Sequence, residues 1–126
     1  MDRGGVERWL VAYGRAWETM DPDAAAMLFT EDATYRETPF SEVMGGRDAV
    51  RDYWSEVPQH QRDISFGSDV LHVEADRAIV HWWASYTRIT TGEPTRLDGM
   101  FLLEFDRSAQ CRSLREWWHA DPRPSF

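Results

Sequence analysis

Large apolar residues recur near the start of the chain at Val6, Trp9, Leu10, Tyr13, Trp17 and Met20. This i, i+3, i+4, i+7 spacing puts them on one face of a helix, with Glu7, Arg8, Arg15 and Glu18 elsewhere on its surface. Asp21 directly precedes Pro22, whose missing N–H needs no partner in a first turn. The pair therefore predicts a capped second helix through residues 24–26 to about Phe29. Over residues 33–38 the rhythm becomes alternation, with Tyr35 and Glu37 on one face of a short strand and Thr34, Arg36 and Thr38 on the other. Pro39 ends that strand. After Gly45-Gly46, residues 47–57 predict a third helix with Val50, Tyr53, Trp54 and Val57 on one side, closed by Pro58.

The second half is strand-like over residues 64–74, 78–90, 95–105 and 114–119, with Ala75-Asp76-Arg77, Gly92-Glu93-Pro94 and residues 106–112 between. Four successive strands joined by short turns predict an antiparallel meander. With three helices and a short strand before it, the fold class is α+β, the three N-terminal helices packed in the concave face of a curved, mainly antiparallel sheet. Parity sorts the side chains: Val80, Trp82, Ala84 and Tyr86 share one face, and Leu97, Gly99, Phe101, Leu103 and Phe105 form an apolar set on the next strand. These sets are expected to face the helices, over a core that includes Trp9, Leu10, Leu28, Phe29, Val50, Trp54, Val80 and Leu103. The outward face would carry His81, Trp83, Met100 and Leu102. A monomer would leave that patch wet, so a homodimer through it is expected.

At 126 residues the chain fits one domain, residues 1–126. Seven Trp, four Tyr and six Phe in so short a chain suggest an aromatic-lined cavity. The net charge is −8, and every basic side chain is an arginine dispersed among acids, so no basic stripe exists for nucleic acid. A single cysteine, Cys111, excludes an intrachain disulfide and a multi-cysteine metal site, and fits a reducing compartment. No apolar N-terminal run suggests a leader or a membrane segment, so a cytoplasmic protein without a membrane partner is expected. His60, His72 and His81 lack metal-ligand spacing. With no phosphate loop or nucleophile elbow either, neither a metal nor another cofactor is expected.

Leu28-Phe29-Thr30-Glu31-Asp32-Ala33-Thr34, Pro39-Phe40 and Gly46-Arg47-Asp48-Ala49-Val50 are followed by Leu97-Asp98-Gly99-Met100-Phe101 and Arg115-Glu116-Trp117-Trp118-His119. In order and spacing these segments resemble the ketosteroid isomerase and SnoaL-like polyketide cyclase branch of the nuclear transport factor 2-like (NTF2-like) superfamily. The resemblance implies a cone-shaped fold around one pocket for a small apolar molecule. It puts Glu37 where ketosteroid isomerases have their proton-abstracting aspartate, and Tyr13 where they have a tyrosine donating to the enolate oxygen. Their second acid falls at Phe101, which has no proton to give. His119 falls where SnoaL-like cyclases carry an acid/base aspartate at the end of the last strand.

The resemblance also implies that Arg115, Trp117 and His119 turn to the concave side, with Glu116 and Trp118 opposite, where Trp118 joins the outward patch. The expected ligand-binding wall is then Trp17, Tyr35, Trp82, Phe101 and Trp117. A carboxylate in such a pocket suits a general base, and imidazole exchanges protons near neutral pH. Other readings stay open: Glu37 paired with Arg47 or another arginine, and His119 as a rim histidine. Two functions compete, cofactor-independent acid/base chemistry of isomerase, cyclase or hydrolase type, and non-catalytic ligand binding or dimerisation. Convergence of Glu37, Tyr13 and His119 on one pocket separates them.

Overall fold

The protein's architecture comes from a computed structural model that describes residues 1–123. Helix α1 spans Arg3–Glu18, started by the Asp2 carboxylate, which accepts the Gly5 N–H at 2.7 Å. Its apolar stripe is buried as its spacing predicts, except that Met20 lies beyond the helix end and is exposed. Helix α2, Pro22–Ala26, is capped by Asp21, which accepts the Ala24 N–H at 3.0 Å. It is shorter than the sequence suggests. The Leu28 carbonyl accepts from the Cys111 N–H at 2.8 Å and from the Trp9 indole at 3.0 Å, so Phe29 opens a strand instead. Tertiary pairing overrides local helix preference here.

Strand β1 covers Phe29–Arg36, and the two-residue β2, Met44–Gly45, pairs with it antiparallel. Gly46 follows with φ +92, a conformation that favours glycine, and starts helix α3, Arg47–Ser55. Pro58 does not close this helix but sits in the first turn of a further short one, α4, Val57–His60, where a proline is tolerated. Of the four helical segments, only α1 and α3 exceed two turns.

The meander is β3 (Gln61–Glu74), β4 (Arg77–Arg88), β5 (Pro94–Phe105) and β6 (Cys111–Asp121), every neighbouring pair antiparallel. Strand β1 adds to its end parallel to β6, giving one curved, mixed six-stranded sheet in the order β2-β1-β6-β5-β4-β3. Trp9, Leu10, Phe29, Val50, Trp54, Val80 and Leu103 are buried between helices and sheet, while Leu28 packs against them half-buried.

Parity follows expectation on β4 and β5 and is reversed on β6. Leu114 and Glu116 are buried, whereas Arg115, Trp117 and His119 are exposed. Register is the cause: Glu116 stands opposite Phe101 and Trp117 opposite Met100, and directly opposed residues of an antiparallel pair share a face. The convex patch therefore holds Trp117 instead of Trp118. Ile79, Trp83 and Trp117 are each more than two-fifths exposed there.

Candidate active site

Between α1, α3 and the concave face of the sheet lies a cavity of about 110 Å³. Four elements each bring a phenol to it: β4 brings Tyr86, and the more deeply buried three are Tyr13 from α1, Tyr35 from β1 and Tyr53 from α3. The Tyr13 and Tyr35 hydroxyls are hydrogen-bonded at 3.2 Å. Glu116 reaches the same cavity from β6. Glu37, just beyond the end of β1, lines the same cavity half-buried. Its own carbonyl accepts the Trp118 indole N–H at 3.0 Å, which ties the end of β1 to β6.

The electrostatics favour neutral acids at the bottom of this cavity. Burial pushes the Glu116 carboxyl well above the usual carboxylate range, and the nearby Glu37 charge pushes it the same way, against a smaller lowering by the Tyr35 hydroxyl. Glu116 is thus biased toward the carboxylic acid, a form that can donate a proton. Burial also raises the three deeply buried tyrosines well above their ordinary value, with the Glu116 charge next, so they remain phenols and hydrogen-bond donors.

Of the residues singled out in the sequence, Glu37, Tyr13, Trp17, Tyr35 and Trp82 converge on this cavity. Phe101 sits behind its wall, stacked on Trp82 with ring centroids 5.1 Å apart and edge-on to Tyr13 at 5.5 Å. Trp117 and His119 do not join them, because the β6 register turns both outward. Trp117 lies beneath the Arg115 guanidinium, 5.7 Å from its ring centroid. His119 borders an open groove of about 480 Å³ on the convex face with Trp83, Asp98 and Arg96. That groove is larger than the cavity, but its polar groups are exposed and engaged, Asp98 with His81 at 3.0 Å and Arg96 with Asp121. Enclosure and buried acid favour the concave cavity. The alternative pairing of Glu37 with Arg47 does not occur, since Arg47 donates to the Phe29 carbonyl at 3.0 and 2.7 Å.

Sequence reasoning missed Glu116 and Trp118 on β6 as cavity residues, along with Tyr53, Trp54, Val57, Gln61, Tyr86 and Leu97. The alternation Leu114, Glu116, Trp118, counted from the obvious core leucine, carries the signal for the β6 pair. Phe101, which stands where the family resemblance implies a second acid, faces Glu116 directly across the β5–β6 ladder, so a carboxyl group is supplied one strand over. Among the described residues no cluster of His, Cys, Asp and Glu could hold a metal ion, and no helix is long and apolar enough to cross a membrane.

Residues 7–112 match the family model of the SnoaL-like domain. The chain belongs to the SnoaL-like family. No curated protein sequence matches it. Among solved structures this SnoaL-like domain is similar to SalBIII, described as an epoxide hydrolase/cyclase-like enzyme with a role in pyran ring formation in the polyether salinomycin. That likeness has 20% identity and a TM-score of 0.80, over 93% of this chain and 92% of the other. A candidate isomerase from Bacillus subtilis aligns at 20% identity and a TM-score of 0.82, over 94% and 90% of the two chains. A ketosteroid isomerase-like protein from Erwinia carotovora aligns at 21% identity and a TM-score of 0.70, over 90% and 92%. Identities this low establish the NTF2-like fold of the SnoaL-like domain and leave its chemistry to the site.

Proposed function

We propose that this SnoaL-like domain binds a small, neutral, largely apolar organic molecule in the concave cavity and moves a proton on it, in cofactor-independent chemistry of isomerase, cyclase or hydrolase type. The observation that carries this reading is the pairing of two carboxyl groups in unlike settings, Glu116 buried and biased toward the acid, Glu37 half-buried at the strand end. Environments that separate two carboxyls into donor and acceptor are a recurrent basis for acid/base catalysis. The hydrolase/cyclase-like and isomerase descriptions of the structural neighbours are consistent with it.

For a carbonyl compound, Glu37 accepts a proton from the carbon next to the carbonyl. The C–H electron pair moves into the new C=C bond as the carbonyl oxygen takes a proton from Glu116. Return of a proton to a different carbon completes an isomerisation, and return to the same carbon gives exchange. Tyr13 and Tyr35, hydrogen-bonded to each other at 3.2 Å, line the cavity alongside Glu116 as further hydrogen-bonding groups for the ligand. A cavity of about 110 Å³ limits the ligand, since an engineered cavity of about 150 Å³ admits benzene. A single six-membered ring is therefore the size to expect, and a steroid does not fit.

The test is hydrogen–deuterium exchange next to the carbonyl of cyclohexanone in D₂O, followed by NMR, with native mass spectrometry on a panel of small cyclic ketones, phenols and epoxides. The protein is expected to accelerate exchange, and Glu37→Gln to slow it by about 100-fold, the contribution of a positioned general base. An unchanged rate in that variant removes Glu37 from the chemistry. Compounds retained without any turnover make the protein a binding domain.

The convex patch belongs to the same proposal as the seat of a second copy of the chain. Arg96 and Asp121 fringe its apolar centre near one end and Arg115 nearer the other, and mixed charge suits a surface that meets itself across a two-fold axis.

A further inference from the structure

Five of the seven tryptophans pack in or against the core, and their indole N–H groups divide into two sets. Trp9 donates to the Leu28 carbonyl at 3.0 Å, Trp17 to Gln61 Oε1 at 2.9 Å and Trp118 to the Glu37 carbonyl at 3.0 Å. Trp54 and Trp82, 5% and 2% exposed, have buried Nε1 atoms with no hydrogen-bond partner among the described residues. Buried donors are nearly always paired, and leaving one unpaired is costly. Both unpartnered indoles line the cavity that holds Glu37 and Glu116.

The backbone next to Trp82 makes room for the N–H edge of its ring to pack closely. Gly99 stands directly across from Trp82 on β5 and directly across from Trp118 on β6. A Cβ at position 99 would lie 2.9 Å from Trp82 Cε2, the ring atom bonded to Nε1, and 2.6 Å from the Trp117 carbonyl oxygen. Only a glycine leaves room for that edge of the indole. Glu116 stands on the adjacent level of the same face, opposite Phe101. Trp82 and Glu116 thus line one cavity from neighbouring rows of the sheet.

We propose that Trp82 and Trp54 form a neutral two-indole donor pair that holds an oxygen acceptor of the ligand, so that the natural ligand is a small uncharged cyclic molecule bearing a carbonyl or ether oxygen. This rests on the acid/base reading of the same cavity and specifies what that cavity selects. Indole nitrogen donates and cannot accept, so the pair recognises an acceptor and nothing else. The two carboxyl groups disfavour an anionic ligand. An oxygen held by these indoles also lies within the cavity that Glu116 enters, as the protonation step requires.

The experiment compares cyclohexanone with methylenecyclohexane, a ring of the same shape without the acceptor. ¹⁵N-labelled protein is titrated with each while the assigned indole N–H resonances are followed. Cyclohexanone is expected to move the Trp54 and Trp82 indole protons downfield, and methylenecyclohexane is expected to bind without that shift. Trp82→Phe should weaken cyclohexanone by about three- to tenfold, the worth of one net hydrogen bond, and change methylenecyclohexane by less than about twofold. Trp54→Phe should act in the same direction, and the wild-type resonances decide the matter if either variant fails to fold.

If both compounds bind and shift the two indoles alike, or if the variants weaken both alike, the donor pair is overturned while the pocket stands. If neither compound perturbs any cavity residue, the reading of the cavity as a ligand site falls as well.

Discussion

Replacing Glu116 with glutamine tests the electrostatic core of the site without any substrate. The substitution keeps the shape of the side chain and an acceptor oxygen while removing the ability to ionise. In the folded protein, burial and the Glu37 charge make Glu116 hold its proton to higher pH than in the unfolded chain, where it titrates near 4.5. Above that value the unfolded state binds fewer protons than the folded one. Stability must then fall as pH rises from about 4.5 toward the folded pKa and level off beyond it. Within this window each pH unit removes about 1.4 kcal/mol. For a chain of 126 residues, the usual unfolding entropy converts that to a fall in Tm of about 5 °C per unit.

Glu116→Gln lacks this loss. It should match the wild type near pH 4 and become progressively more stable than it as pH rises above about 4.5, until the folded carboxyl ionises. The assay is thermal or urea unfolding followed by tryptophan fluorescence at unit steps from about pH 4 to 8. Asp76 is shifted in the other direction by its hydrogen bond with Arg112, so its contribution is lost as pH falls below the ordinary carboxylate range. It does so in both proteins and cancels in the difference. A stability difference that stays constant from pH 4 to 8 would refute the assignment of Glu116 as a buried, proton-holding acid.

Burial pushes the Cys111 thiol up to about 12, so the native protein should resist a thiol reagent such as DTNB at pH 8 and release one equivalent only on unfolding. Rapid reaction in the native state would show that β6 does not bury this residue. For the convex face, light scattering at micromolar concentration should give a dimer mass, and Trp83→Asp combined with Trp117→Asp should give a monomer that still binds in the concave cavity. A monomeric wild type would leave those tryptophans as ordinary exposed residues.

The sequence made the scaffold legible wherever one physical signal acted alone. The stripe of Val6, Trp9, Leu10, Tyr13 and Trp17 specifies α1 because only helical spacing gathers those residues on one face, and the parity of β4 and β5 follows from uninterrupted alternation. The signal failed where two apolar phases compete. Trp117 and Trp118 are consecutive, so on β6 a tryptophan occupies each face whichever phase is chosen, and the family resemblance selected the wrong one. Leu114 and the register against β5 decide between the phases, and register is a property of the strand pair that β6 alone does not encode. The end of α2 was misplaced for a related reason, since the pairing of Phe29 with Cys111 spans most of the chain and leaves no local mark. The consequence for the site is specific. A one-residue change of phase removes His119 and Trp117 from the pocket and brings in Glu116 and Trp118, which turns a carboxylate-and-imidazole site into a two-carboxyl site. A buried glutamate on a strand otherwise pinned by Leu114 is costly unless it stays protonated. The residue that looked least compatible with the core is therefore the one whose burial requires an explanation in function.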